Sequence, residues 1–284
     1  MSIGNLFKYN WAYLIWFIIY FSISHFIINL FVGDFWQAML YTFLLYAVTL
    51  TLAFLPIGEN ILRMMSGARK FNKTNRDREY LFPIFSEVYN SSFSRNITQI
   101  SSSVSLYIIP DHDINAFAIG RRTICVTRGA INALSEDELK GVIAHEFGHI
   151  VNGNTMAGLF TTVGNGFFSV AVWILSIILA TLKWFFGRFK DTKIIMILLN
   201  ILTAVFNLFI WCFKGFGEII LSLNSRYNEF QADRYAGKIG YKDNLIEALY
   251  ILRELEWNKG GIKSRLTASH PYIDDRIERL ERMK

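Results

Sequence analysis

Charge is scarce in this chain: Asp, Glu, Lys and Arg make up 18% of its 284 residues, against about 25% in an ordinary soluble domain. Hydrophobic residues reach 52% and fall in long uncharged runs, which excludes a plain soluble globule and places the chain among membrane proteins. Cysteine is scarcer still. The two that exist, Cys125 and Cys212, lack metal-site spacing, and Cys212 lies in an apolar run, so neither a disulfide framework nor a cysteine-type zinc site is implied. The net charge of +6 raises the question of nucleic acid, but basic residues flanking apolar spans report membrane orientation instead, and no nucleic-acid partner is expected.

With five histidines in the whole chain, the placing of two of them is informative. His145-Glu146-Phe147-Gly148-His149 sits inside SEDELKGVIAHEFGHIVN, residues 135–152. Ser135 with Glu138 forms a capping box, Asp137 adds negative charge to the first turn, and Gly153 supplies a C-terminal stop. Leu139, Val142, Ile143, Phe147, Ile150 and Val151 recur at helical spacing. On such a helix the two histidines stand one turn apart on one face, beside the apolar stripe, where both imidazoles can hold one Zn²⁺. Glu146 is then carried next to the metal's open position, and a base at that place is hydrolytic machinery. The alternative is a plain helix bearing two ordinary histidines.

Uncharged stretches at residues 11–31, 35–57, 157–182 and 194–213 each reach the roughly 20 residues a bilayer core requires. The first has no small-residue cleavage pattern after it and is expected to stay as an anchor. The cluster Arg63, Arg69, Lys70, Lys73, Arg76 and Arg78 places the end of the second span in the cytoplasm, which makes the first two helices a hairpin turning at Val32-Gly33-Asp34. The second hairpin conflicts with the same rule, because its loop holds Lys183, Arg188, Lys190 and Lys193 against Asp191; full crossing and mere insertion both remain open. His25, Asn29, Asn165, Asn200 and Asn207 lie within these spans and are expected to bond neighbouring helices.

Between the hairpins, a helix is expected from Lys73 to about Phe93, with Pro83 as a kink or break. Residues 104–109, 115–119 and 123–127 read as three strands, with His112 exposed in the Asp-rich turn after the first. The edge of such a sheet can pair with an extended peptide and hold a scissile bond over the metal, or the sheet can serve packing alone.

A catalytic zinc site needs a third protein ligand. Beyond the fourth apolar stretch, Glu229 and Asp233 are one turn apart, with Arg226 on the same side. Glu229 can complete the metal set, Asp233 can accept the outer N–H of a ligating histidine, and Arg226 can support either carboxylate. Spacing alone favours a surface ion-pair cluster.

AHEFGHIVNGN, DINAFAIG at residues 113–120, SRYNEFQAD and SHPYIDDRI at residues 269–277 together resemble the HtpX family of membrane zinc endopeptidases, itself related to the prenyl-protein (CAAX) endopeptidases. The resemblance covers nearly the whole chain. It implies one Zn²⁺ per chain held by His145, His149 and Glu229, Glu146 as catalytic base, and a substrate cleft along the 113–120 strand with Asn115 near the bound carbonyl. Tyr272 departs from the family, which commonly has a second proline there. His270 either sits at the entry of a final helix begun by Pro271 or, as the related endopeptidases suggest, donates to the oxyanion.

The chain is therefore expected to be a mainly α membrane protein: four apolar helices in two hairpins, plus a zincin-like α+β metalloprotease domain with a small sheet of about three strands. The expected division is a hairpin at 1–58, the first part of the protease domain at 59–156, a second hairpin at 157–214, and the rest of the protease domain at 215–284. The expected activity is hydrolysis of polypeptides, membrane proteins among them, on the cytoplasmic face of a bacterial-type membrane, in stress-related quality control. A prenyl-peptide processing protease and a non-catalytic membrane zinc scaffold are the alternatives.

Overall fold

The computed structural model describes residues 9–70, 76–94, 104–189, 191–259 and 273–283. In chain order the elements are α1 (Trp11–Val32), α2 (Phe35–Phe54), α3 (Pro56–Met65), β1 (Arg69–Lys70), α4 (Arg76–Ser94), β2 (Ser105–Ile109), β3 (Ala116–Ile119), β4 (Thr123–Thr127), α5 (Arg128–Ala133), α6 (Glu136–Asn152), α7 (Asn154–Phe186), α8 (Lys193–Lys238), α9 (Lys242–Lys259) and α10 (Ile273–Glu281). They form two compact units: one holds Thr51–Leu159 and Asn224–Lys284 with the chain up to Trp11, the other Ala12–Leu50 and Phe160–Leu223.

The second unit is built on aromatic side chains. Trp16 of α1 stacks on Phe213 of α8 with ring centroids 4.8 Å apart, and Tyr20 meets Phe213 edge-on at 5.5 Å. Gly217 leaves the room for this, since a Cβ there would lie 2.4 Å from the Trp16 ring. Helices occupy all four apolar stretches. Among the described residues α1 and α8 are long and apolar enough to cross a membrane, while α2 and α7 carry shorter apolar runs, Phe35–Thr51 and Val172–Phe186.

The other unit packs helices against a mixed sheet of strand order β1-β2-β4-β3. β2 and β4 are parallel, β3 and β4 antiparallel. The sheet has four strands rather than about three, because Arg69 and Lys70 pair antiparallel with Ile108 and Tyr107; a two-residue exposed strand leaves no periodicity to read. β4 is buried throughout, and among the described residues β3 forms the opposite edge.

Pro83 lies inside α4 without ending it. The missing hydrogen bond costs about 3 kcal/mol, whereas Leu81, Ile84, Phe85 and Val88, at helical spacing, are all buried in the main core, each worth about 1.5 to 3 kcal/mol. Packing wins. Through Phe85, stacked on Phe147 at 5.5 Å, α4 backs α6.

Candidate metal centre

α6 forms where the local signals demand it. Ser135 Oγ accepts from the Glu138 N–H, and a Glu138 carboxylate oxygen accepts from the Ser135 N–H at 2.6 Å. Gly153 ends the helix in the left-handed region at φ 78°, where glycine pays no steric penalty. Between these caps Leu139, Ile143, Phe147 and Ile150 are buried, which fixes the rotation of the helix and with it the direction of the histidines.

α6 and α8 approach closely at Gly148: a Cβ there would lie 2.7 Å from Ala232 Cα. This proximity lets the next turn of α8 reach the histidines. Glu229 Oε2 is 3.4 Å from His145 Nε2, Glu229 Oε1 is 3.4 Å from His149 Nε2, and the two Nε2 atoms are 3.1 Å apart. Three donors held about 2.0 to 2.1 Å from one tetrahedral ion stand about 3.3 Å from each other. The Nε2–Nε2 distance and the 3.4 Å from each ring to its own Glu229 oxygen are close to that spacing, and the donor set of two imidazoles and a carboxylate suits a first-row divalent metal. One ligand-type atom from each of His145, Glu146 and His149 lies within 4.8 Å of the others, so Glu146 borders the two histidines.

The surroundings are closed and charged. His145, Glu146, Glu229, Asp233 and Arg276 are all 6% exposed or less. His145 Nδ1 donates to Asp233 Oδ1 at 2.8 Å, which fixes the ring and turns Nε2 toward Glu229. Arg276, from α10, donates to both Asp233 oxygens through Nε at 2.8 Å and Nη2 at 2.6 Å, and its Nη1 is 3.3 Å from Glu229. Burial and the nearby Arg276 charge push the His145 pKa down, but the hydrogen bonds to Asp233 and Glu229 and the Asp233 charge outweigh them and raise it to about 9. Burial likewise disfavours the Arg276 charge, yet Asp233, Glu229 and Glu146 raise its pKa and keep it ionised.

His149 is held from behind by Asn154, whose Nδ2 atom lies 3.1 Å from Nδ1 of the ring. The other end of that amide, Oδ1, is buried without a hydrogen-bond partner among the described residues.

The structure thus brings together His145, Glu146, His149, Glu229 and Asp233. Arg226 is exposed on α8; the guanidinium against both carboxylates is that of Arg276. The sequence signal for Arg276 is its place on the apolar stripe of the last helix, between Ile273 and Ile277 with Leu280 one turn on, since a charge on a buried stripe needs a buried partner. Asn115 stands exposed at the head of β3, its N–H donating to Thr127 Oγ1 and its carbonyl accepting from the Thr127 N–H, both at 3.0 Å. His112 is exposed in its turn. His270 lies outside the described residues.

Comparison with known proteins agrees with this chemistry. The profile described as Peptidase family M48 matches residues 86–284. A protein named Protease HtpX homolog from Bacillus subtilis (strain 168) is 29% identical over 246 residues, covering 80% of this chain and 78% of its own. Protease HtpX of Haemophilus influenzae (strain PittEE) is 30% identical over 197 residues, covering 63% and 66%. In fold, the chain is similar to the crystal structure of S. mikatae Ste24p, with a TM-score of 0.50 at 22% identity. That likeness takes in 95% of this chain and 63% of the Ste24p chain.

Proposed function

Because the chain belongs to peptidase family M48, we propose that it is a membrane-anchored zinc endopeptidase whose centre is His145, Glu146, His149 and Glu229. The observation that carries this reading is the pair of Nε2 atoms 3.1 Å apart, each 3.4 Å from one oxygen of the Glu229 carboxylate (Oε2 for His145, Oε1 for His149), with Glu146 beside the two histidines. His145, His149 and Glu229 would hold the Zn²⁺. When bound, the ion supplies Lewis acidity, polarising a carbonyl and lowering the pKa of water from about 15.7 to about 7.

The chain's own groups do the rest. Glu146 takes the proton of the attacking water and returns it to the leaving amine. Asp233, itself clamped by Arg276, keeps the proton of His145 on Nδ1 and its Nε2 free for the ion. The edge of β3, unpaired among the described residues, receives the polypeptide as an added strand, so that main-chain hydrogen bonds accept any sequence, with Asn115 at the head of the strand near the bound carbonyl. His270 takes the part of oxyanion donor that the family resemblance gives it.

In this reading the four apolar helices form two hairpins in a bacterial-type cytoplasmic membrane and the peptidase faces the cytoplasm, as the basic residues after α2 indicate. Its substrates are polypeptides, membrane proteins among them, in quality control. The decisive experiment is Glu146→Gln: the purified variant retains zinc and loses proteolysis of an unfolded protein by on the order of 10² to 10⁴ in rate. Undiminished cleavage would sink the assignment.

A further inference from the structure

The turn between β3 and β4 is held from outside the sheet. Glu59, on α3, accepts from the Arg121 and Arg122 N–H groups at 3.2 Å each and from Thr123 Oγ1 at 2.6 Å. Gly120 adopts φ +59°, and a Cβ on it would lie 2.5 Å from the Glu59 carboxylate, so glycine is needed both for the backbone conformation and for the approach of the acid. From the other side Thr155, in the first turn of α7, donates to the Gly120 carbonyl at 2.5 Å. A solvent-facing hairpin turn requires none of these bonds to close. Here a half-buried carboxylate serves three donors in it.

The strand that this turn ends is, among the described residues, an open edge of the sheet. The Thr127 N–H bonds the Asn115 carbonyl, and the register pairs Phe117 with Cys125 and Ile119 with Thr123. Antiparallel pairs alternate between exchanging both bonds and exchanging none. Phe117 and Ile119 therefore face β4, and the N–H and C=O groups of Ala116 and Ala118 point away from it. Slippage by one residue would exchange the two sets and turn the wrong groups outward.

We propose that Glu59 is a positioning residue for substrate, fixing the β3–β4 turn so that the Ala116 and Ala118 main-chain groups meet an extended polypeptide in a single register. This rests on the reading of β3 as the substrate-binding edge. Glu59 touches neither substrate nor metal, so its loss weakens substrate binding and leaves the chemistry of bound substrate alone.

The test uses the full chain in detergent or nanodiscs with zinc, and labelled β-casein as an unfolded probe. Glu59→Ala raises KM about 10-fold, the scale of one charge-assisted hydrogen bond. Its kcat stays within about two-fold of the parent and its zinc content is unchanged, because the ligands are untouched. Hydrogen exchange quickens at the Arg121 and Arg122 amides. Glu59→Gln keeps an oxygen for the Thr123 hydroxyl and recovers part of the KM. Should the alanine variant fail to fold, the glutamine variant and Thr155→Val carry the same comparison. An unchanged KM despite faster exchange in the turn overturns the proposal, as does a fall in kcat together with zinc. A separate arm tests the underlying reading: in Glu146→Gln, unlabelled β-casein protects the Ala116 and Ala118 amides. No protection there rejects β3 as the substrate edge, whereas protection with an unmoved KM rejects only the role of Glu59.

Discussion

An imidazole that gives Nε2 to a cation keeps its proton on Nδ1, and the group facing Nδ1 must accept it. For His145 that group is the Asp233 carboxylate. For His149 it is the Asn154 amide, whose buried Oδ1 otherwise has no partner among the described residues; with the amide turned over, that oxygen accepts. Asn154→Asp, an acceptor only, is therefore expected to keep or raise zinc affinity, and Asn154→Leu to lower it about 10- to 100-fold, as read by competition with a chelator. A larger loss in the aspartate variant than in the leucine variant would show that residue 154 donates. Arg276 presents the complementary case. Its removal leaves Asp233 and Glu229 buried without their cation, so Arg276→Leu should cost the metal-free protein about 3 to 5 kcal/mol in chemical denaturation. The loss should shrink in the zinc-loaded protein, where the ion supplies positive charge. Arg276→Lys, which lacks the forked geometry meeting both Asp233 oxygens, should restore little.

At the scale of elements, the contact between α6 and α8 turns on one missing methyl. Gly148→Ala drives a Cβ to 2.7 Å from the Ala232 backbone, and the helices must separate, at about 1 to 3 kcal/mol for an overpacked core. Separation also withdraws Glu229 from the histidines, so zinc occupancy should fall along with thermal stability. Gly158→Ala is the control: nothing lies within 4 Å of its added methyl, and helix propensity favours the change by about 0.5 to 1 kcal/mol.

The same contacts explain what was legible beforehand. α6 can be read almost to the residue, because its capping box, its apolar period and its terminal glycine are all local. Glu229 and Asp233 can be picked out as a pair on one helix face, but spacing alone favours a surface ion-pair cluster there, and it is the family resemblance that makes Glu229 a ligand. Arg276 cannot be paired with them from spacing, since its partner Asp233 lies 43 positions away and the exposed Arg226 stands nearer in sequence. Gly148 reads as one residue of a motif until α8 is laid against it. β1 escapes notice at two residues, and Pro83 misleads because its penalty is local while the burial that outweighs it comes from the core.

For the whole molecule, the unit that holds the centre is not a continuous piece of chain. It combines Thr51–Leu159 with Asn224–Lys284, and Phe160–Leu223 of the other unit runs between them. α8 joins the two: a single 46-residue helix with an apolar first part ends in the turns that carry Glu229 and Asp233. This order of assembly matters during synthesis. His145 and His149 leave the ribosome long before Glu229, and Arg276 follows His145 by 131 residues, which at 5 to 20 residues per second is on the order of ten seconds. For the first 84 of those residues the nascent chain carries the two histidines and the base Glu146 without the Glu229 carboxylate, and for the remainder it still lacks the arginine that steadies the carboxylates. A peptidase built this way is not assembled until Arg276 has been made, so it cannot cut residues 145–275 while they are being synthesised.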